Sequence, residues 1–497
     1  MTARTDPWID VKSLTLFGFF VLLGGCVMLF PLAALILVVV TCAGALVFYL
    51  VHGGYLRVWQ LLALMALTGY MILNYGFENI SLHLGSFPII LGHSMMFAAL
   101  GLAVIHYRHI FRQALAEPAM RWMLGLIALT CLHLVYDISH YGLYALRDAS
   151  LTLEGIFMLL GLLWATESRN TLVLMRWLFC VWLLLTLYAY LYPWAEALRG
   201  VSPVSGIFQP VPIVGYYSGT AFRTTVGALF CICAGKHVVK QRWLLLLLAA
   251  AQIYALAFLQ LRAMYIGVVL ALAIFLFFGE IRKWAQLSLV LLAGLAGLVV
   301  LTSVGLQMEG RVGPVNAAFI KEHAESLLGT STAPAEGTIE SRKDWYKQVE
   351  KRLVSSASNL IVGVGFGQPL IQFSTSNNAG NQDVEVRQPH NSHLTFLARL
   401  GLVGGTIWLL LNLYIIWRFV STLRRRAFGD ARLRDLTLWL FLFYLLDLLE
   451  SAVQPGLEFS SGAITFYFLT GFALGLIRWQ VQPRAQVNRQ PSSPSLP

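Results

Sequence analysis

Charged side chains are scarce in this sequence. Asp, Glu, Lys and Arg together make up 12% of the 497 residues, whereas soluble domains contain about 25%. Hydrophobic residues account for 58% of the chain, and the mean hydropathy is +0.70. This shortage of charge excludes an ordinary soluble enzyme and predicts an all-α polytopic membrane protein.

Cysteine is also rare, and its placement excludes two further classes of protein. All six cysteines fall in apolar segments: Cys26, Cys42, Cys131, Cys180, Cys231 and Cys233. Such positions favour a role in apolar packing over a disulfide framework or a zinc site. No metal site and no cofactor is predicted. An internal repeat is also lacking, which removes support for a transporter built from inverted repeats.

Long apolar runs are what the chain has in abundance. A run of about 20 residues matches the hydrocarbon thickness of a bilayer. The sequence predicts about fourteen spans, with a range of 12–14, near residues 13–30, 31–51, 58–77, 87–107, 122–138, 151–167, 171–194, 222–238, 244–261, 264–279, 286–305, 394–417, 436–452 and 462–478.

The distribution of Lys and Arg predicts the orientation of these spans. If the spans alternate, most basic residues fall on one side, and the short loops 78–86, 139–150 and 195–221 on the other side carry only Arg147 and Arg199. The positive-inside rule then places both termini in the cytoplasm. These membrane anchors account for the net charge of +11, so no nucleic-acid partner is predicted.

One polar segment interrupts the apolar pattern and is predicted to be extracytoplasmic. It divides the chain into N-terminal spans (1–205), spans that carry two arginines (206–305), a long loop with short helices (306–393), C-terminal spans (394–480) and a disordered cytoplasmic tail (481–497). In this loop "SRKDWYKQVEKRLV" has helical spacing, "GVGFGQP" turns the chain, and "STSNNAGNQD" is typical of a flexible tip. Long loops on a membrane scaffold often carry function.

The end of this loop, "VRQPHNSHLTFLARLGLVGG", contains the principal catalytic candidate. His390 precedes a helix that Asn391 or Ser392 can cap. A neutral imidazole at this place could accept a proton from a sugar hydroxyl. The alternative is a polar interfacial histidine that the cap satisfies. For Gly401, Gly404 and Gly405, close helix packing is the preferred explanation.

Arginines near the ends of predicted spans are the second group of candidates. Arg223 and Arg262 both lie toward the extracytoplasmic face, and arginine near hydrocarbon is costly enough to suggest a function. A guanidinium group can bind phosphate through two parallel hydrogen bonds. The alternative is snorkelling to the interface. Arg399 lies deeper, and we expect a structural ion pair with Asp447 or Glu450.

These elements together resemble the O-antigen ligase and O-antigen polymerase superfamily. His390-Asn391, nine residues, Gly401, two residues and Gly404 match its signature, and the loop order "SRKDWYKQV", "GVGFG", "HNSHL" is similar. "LQLRAMYIG" and "AFRTTVGAL" look like its two arginine elements. The resemblance covers roughly residues 205–415, and the N-terminal spans agree only in hydropathy.

The resemblance implies an inverting, metal-independent membrane glycosyltransferase of the GT-C type, in the bacterial inner membrane. Such enzymes take a glycan from undecaprenyl diphosphate at the periplasmic face and transfer it to a sugar hydroxyl. His390 would be the general base, and Arg223 and Arg262 would hold the diphosphate. Asn391, Arg342 and Arg387 could contact phosphate or glycan, although solvated loop positions are an alternative for both arginines.

Several functions stay open at this point. The leading hypothesis is a polymerase that joins lipid-linked repeat units of O-antigen or exopolysaccharide. The alternatives are a ligase that transfers the glycan to lipid A-core, a flippase or transporter of lipid-linked sugars, and a scaffold subunit. The expected partners are the lipid-linked donor, an acceptor glycan or lipid A-core and the bilayer, with a chain-length regulator or other envelope-assembly proteins as further candidates.

Overall fold

The computed structural model describes residues 56–84, 87–206, 210–217, 219–303, 308–311, 313–315, 335–375, 384–425 and 428–481. The first two predicted spans, 13–30 and 31–51, lie outside the described residues. So do most of the predicted flexible tip at 374–383 and all but the first residue of the predicted tail at 481–497.

Helices make up most of the described structure. They are α1 Val58–Ile72, α2 Tyr75–Glu78, α3 Leu91–His106, α4 Arg108–Leu115, α5 Pro118–Tyr141, α6 Leu143–Leu153, α7 Phe157–Trp164, α8 Ser168–Tyr190, α9 Ala195–Val201, α10 Thr220–Cys233, α11 Arg242–Leu259, α12 Arg262–Phe277, α13 Ile281–Ser303, α14 Ala335–Leu353, α15 Ala357–Val362, α16 Ser392–Arg425, α17 Ala431–Ser451 and α18 Ser460–Gly475.

Short antiparallel hairpins lie between these helices. The strand pairs are β1 Ser81–Leu84 with β2 Phe87–Ile90, β3 Val204–Ser205 with β4 Val211–Pro212, β5 Met308–Glu309 with β6 Pro314–Val315, and β7 Phe373–Thr375 with β8 Val384–Val386.

The structure confirms an all-α multi-pass membrane protein. Among the described residues, six helices are long and apolar enough to cross a membrane, or seven if the bent pair α3 and α4 counts as one span. The shorter apolar helices are α1, α10 and α12. Each predicted span within the described residues overlaps a helix. However, 58–77 is divided between α1 and α2, 87–107 begins in β2, and 151–167 is divided between the end of α6, a short 3₁₀ turn and α7. The total of fourteen spans and the division into five segments stay predictions.

The helical bundle has an apolar outer surface and a closely packed core, as expected in a membrane. Large apolar side chains such as Leu132, Val135 and Leu292 are exposed on the helices, where lipid replaces water as the solvent. Inside the bundle, α7 and α18 approach closely because Gly161 and Gly471 have no side chain, and a Cβ on either residue would collide with the backbone of the other helix.

The described part of the polar loop packs against α16. Trp345, Val349 and Leu353 are all buried, which confirms the apolar face predicted for α14. The segment 363–368, here called the glycine loop, turns as predicted, with positive φ at Gly363, Gly365 and Gly367.

The helix that follows the loop has a kink at Gly401. This glycine has φ 62° and ψ −164°, inside the range of α16, and a Cβ on it would lie 2.5 Å from Gly363 N and from the Ile361 carbonyl group. The kink releases the Ala398 and Arg399 carbonyls, which accept hydrogen bonds from the Val364 N–H (2.9 Å) and the Gly365 N–H (3.2 Å). Gly401 therefore lets the glycine loop dock on α16, which is a structural role, although the predicted contact was between helices.

Candidate functional site

His390 lies directly before α16, and the cap of this helix fixes the adjoining backbone. Asn391 Oδ1 accepts the Leu394 N–H at 3.0 Å, and the Asn391 carbonyl accepts the Thr395 N–H at 3.0 Å. Asn391 is therefore the capping residue, as one of the two predicted possibilities stated. His390 itself has φ 54°. This left-handed conformation is uncommon for a residue other than glycine and is frequent at functional sites.

The helix α14 provides the wall next to the imidazole. The Trp345 and His390 rings have centroids 5.3 Å apart at an interplanar angle of 55°. Three residues earlier, on the same helix face, Arg342 is partly buried, and its Nε makes no hydrogen bond to any described residue. Arg342 therefore lies on the same side of the loop as His390.

A second wall comes from the break between α11 and α12. Gln260 adopts a left-handed conformation (φ 49°) between the two helices, and its side-chain Nε2 donates to the Gly313 carbonyl at 2.9 Å. The Arg311 N–H donates to the Phe258 carbonyl at 2.9 Å. These bonds hold the β5–β6 hairpin against the break, so Arg311 at the hairpin tip lies near Arg262, the first residue of α12.

Electrostatic interactions show that these groups form one cluster, here called the cationic cluster: Arg262, Arg311, Arg342 and His390. Burial, then the positive charges of Arg342 and Arg311, lower the pKa of His390 from 6.5 to about 4. Burial also lowers the pKa of Arg342, opposed by Tyr346 and assisted by Arg262 and Arg311. His390 is thus neutral at neutral pH and able to accept a proton, beside guanidinium groups that repel one another.

Arg223 lies in different surroundings. It is 5% exposed, and it donates to the Met71 carbonyl (2.9 Å), to the Ser461 carbonyl (3.1 Å) and to Asn74 Oδ1 (3.4 Å). Its electrostatic partners are three carboxylates, Glu450, Asp447 and Glu78. Among the described residues, the hydrogen bonds of Arg223 go to Met71, Asn74 and Ser461, and a shared diphosphate site with Arg262 stays a prediction.

Arg387 holds the glycine loop in place. Its Nη2 donates to the Gly367 carbonyl at 2.6 Å, and its guanidinium lies 4.6 Å from the centroid of the Tyr144 ring. Its own backbone carbonyl accepts the Leu370 N–H at 2.8 Å. These contacts are structural, and a substrate contact by Arg387 stays a prediction.

The predicted partner of Arg399 is wrong. Its ion pair is with Asp148 Oδ2 at 2.8 Å, and both side chains are completely buried. Asp447 and Glu450 instead interact with Arg223. The kink at Gly401 turns the start of α16 toward the glycine loop and α6, which explains the difference.

The sequence analysis did not identify Arg311 or Trp345 as site residues. Trp345 belongs to the predicted buried face of α14, so its position beside a histidine had no separate signal. Arg311 stands in "EGRVGPV", where two glycines and a proline indicate a tight turn. From a single arginine at a turn, the sequence does not predict that the turn packs against the break between α11 and α12.

Comparison with known proteins gives a family match for part of the chain. No curated protein matches the chain. Residues 243–409 match the family model described as O-Antigen ligase. The matched segment contains α11, α12, the polar loop, His390 and the kink in α16, whereas Arg223 precedes it. This match supports the assignment of the chain to the O-antigen ligase and O-antigen polymerase superfamily and a function of that general type.

Proposed function

We propose that this protein is an inverting glycosyltransferase that works at the periplasmic face of the bacterial inner membrane. It transfers a glycan from undecaprenyl diphosphate to a sugar hydroxyl. The acceptor that we propose is a second lipid-linked glycan, so that the product is a growing O-antigen or exopolysaccharide chain. Independence of metal and of other cofactors, a GT-C type architecture and about fourteen spans are parts of the same proposal.

The observation that carries this proposal is the cationic cluster. The neutral imidazole of His390 lies near the positive charges of Arg342 and Arg311, and Arg342 is repelled by Arg262 and Arg311. A diphosphate would relieve this repulsion and would bind through hydrogen bonds between charged groups. A base and an anion site in one place are what transfer from a lipid diphosphate to a hydroxyl requires.

The chemistry follows from this arrangement. His390 takes the proton of the acceptor hydroxyl while the oxygen attacks the anomeric carbon of the donor sugar. The new glycosidic C–O bond forms opposite the bond to the diphosphate, which breaks and leaves its electron pair on phosphate. Arg262, Arg311 and Arg342 stabilise the negative charge that develops there, so no general acid is needed.

The other predicted residues have supporting roles in this proposal. Asn391 caps α16 and fixes the backbone beside His390. Arg387 supports the glycine loop. Diphosphate binding by Arg223 stays a prediction; because its Nη atoms already donate to protein oxygen atoms, it would have to exchange those bonds.

The decisive experiment offers a lipid-linked repeat unit to the purified protein, together with either the same lipid-linked glycan or lipid A-core as acceptor. A ladder of products with the first acceptor supports a polymerase. A single adduct with lipid A-core supports the second candidate, an O-antigen ligase, which the description of the matched family favours. Absence of transfer to both acceptors, with the donor still bound, contradicts the proposal.

The same preparation distinguishes transfer from transport. In proteoliposomes, a flippase moves the lipid-linked sugar across the bilayer and leaves its glycosidic bond to the diphosphate intact. If wild-type protein moves the donor and His390→Ala moves it equally well, the transporter hypothesis is supported and the glycosyltransferase proposal is wrong.

A further inference from the structure

The glycine loop is held by an unusually complete set of hydrogen bonds. Four consecutive backbone N–H groups have partners outside the loop. Val364 and Gly365 donate to carbonyls of α16. The Phe366 N–H donates to Asp137 Oδ2 at 2.7 Å, and the Gly367 N–H donates to Asp148 Oδ2 at 3.2 Å.

Arg399 completes this set from the opposite direction. Its Nη1 donates to the Gly365 carbonyl (3.0 Å) and to the Gln368 carbonyl (2.8 Å), while its Nη2 donates to Asp148 Oδ2. A buried ion pair does not by itself stabilise a fold, because both charges lose their hydration. Here Asp148 Oδ2 and Arg399 Nη1 also bond to the backbone of a single loop, while Asp148 Oδ1 accepts from Arg147. The bonds to the backbone fix the loop geometry.

The glycine loop in turn contacts the segment that ends in His390. The Gly367 carbonyl accepts from Arg387, and the Leu370 N–H donates to the Arg387 carbonyl, three residues before His390. The buried apolar cluster of Trp345, Val349, Leu370, Ile371 and Ala398 then joins the loop to α14 and α16. Trp345 also packs against the His390 ring. A shift of the glycine loop would therefore move both Trp345 and the segment from Arg387 that leads into His390.

We propose that Asp148 and Arg399, supported by Asp137, are positioning residues for the transfer reaction. They act through the glycine loop, which sets the place of His390 relative to the cationic cluster. This inference rests on the proposed function. The resulting prediction is specific: loss of the pair slows the chemical step, while Arg262 on α12 and Arg311 on the β5–β6 hairpin, which the glycine loop does not contact in the bonds described above, keep their places and still bind the donor.

The test compares Asp148→Asn, Arg399→Lys and the milder Asp137→Asn with wild-type protein in the glycan-transfer assay, with kcat and the donor KM measured separately. A displacement of about 1 Å costs roughly 100-fold in rate, so we expect kcat of Asp148→Asn to fall about 100-fold with little change in KM. Arg399→Lys keeps the charge beside Asp148 but cannot reach two carbonyls and a carboxylate at once. We therefore expect the kcat of Arg399→Lys to be well below that of wild-type protein.

The matched control is Glu117→Gln. Glu117 is also buried and pairs with Arg478 at 2.7 Å, but it precedes the first residue of α5, whereas Asp137 lies near the last. Twenty residues of helix separate them by about 30 Å. The control should lower the melting temperature without lowering kcat of the folded protein.

The outcomes separate this inference from the proposed function. If wild-type protein transfers glycan and His390→Ala does not, while folded Asp148→Asn and Asp137→Asn keep wild-type kcat, the positioning role is wrong and the proposed function stands. A wild-type kcat in Arg399→Lys would also overturn the positioning role, because a positive charge beside Asp148 would then suffice without the hydrogen bonds to the glycine loop. If wild-type protein transfers no glycan, it is the proposed function that fails.

Discussion

Two groups of arginines in this protein have opposite surroundings. Arg223 and Arg399 are deeply buried, and each donates to backbone carbonyls and interacts with carboxylates. Arg342 instead interacts unfavourably with Arg262 and Arg311, and its Nε has no hydrogen-bond partner in the described part of the chain.

This difference separates arginines that complete the protein structure from arginines that we propose bind the donor. A buried cation with oxygen partners has its hydrogen bonds satisfied within the fold, whereas neighbouring cations favour a negative ligand. Sequence position alone does not separate the groups, since both contain arginines near helix ends. Each of the following predictions tests whether the two groups really differ in function.

The largest effect is expected at His390. His390→Ala removes the proposed base, so kcat should fall by roughly 10²–10⁴ while the donor still binds to the three arginines. The measurement is glycan transfer with purified protein, with donor binding determined separately. His106→Ala is the control, because His106 is exposed, near the start of α4, outside the cationic cluster. Wild-type kcat in His390→Ala would remove the imidazole from the mechanism.

A smaller effect is expected when the cationic cluster loses an arginine. A hydrogen bond between charged groups contributes about 1.5–3 kcal/mol, so Arg262→Ala should raise the donor KM roughly 10- to 100-fold. Lys347→Gln removes a positive charge from an exposed position on α14 and should leave KM unchanged. Equal effects in the two variants would mean that only long-range charge attracts the donor.

Local features of this site could be predicted from sequence because they depend on neighbouring residues. The buried face of α14 follows from the spacing of Trp345, Val349 and Leu353, and a cap at Asn391 or Ser392 follows from polar residues before an apolar run. The glycine loop was recognisable as a turn. These features need no knowledge of the rest of the chain.

Contacts between distant segments could not be predicted in the same way. Arg399 pairs with Asp148, 251 positions away. At such a separation, the sequence does not indicate which acidic residue is the partner. The choice depends on the kink at Gly401, where N–H groups of the glycine loop donate to the carbonyls that the kink releases. Arg311 likewise reaches Arg262 only through a hairpin that docks on a helix break.

Arg223→Lys tests the group of buried arginines that have oxygen partners. Lysine cannot replace all three hydrogen bonds of Arg223, and each lost bond to a charged group costs about 1.5–3 kcal/mol. We expect a lower melting temperature and a smaller rise in donor KM than in Arg262→Ala. A large rise in KM at unchanged melting temperature would instead make Arg223 a primary diphosphate ligand.

The smallest effect is a shift in pH dependence. The pKa of His390 is lowered to about 4, so kcat/KM, which reports the free enzyme, should fall only as the pH drops through about 4. Arg342→Gln removes one of the positive charges that lower the pKa of His390. The pH at which kcat/KM falls should therefore move upward from about 4 without reaching 6.5, because burial still opposes protonation.

The same shift affects stability with a defined sign. Between pH 6.5 and about 4 the unfolded chain binds a proton at His390 and the folded chain does not, so the folded state loses stability as the pH falls through this window. In Arg342→Gln this loss should be smaller, because the folded pKa lies nearer the unfolded one. Melting temperatures of both proteins at pH 7 and pH 5 measure it. If the pH at which kcat/KM falls and the stability difference are the same in both proteins, Arg342 does not act on His390, and the contrast between the two groups of arginines no longer locates the site.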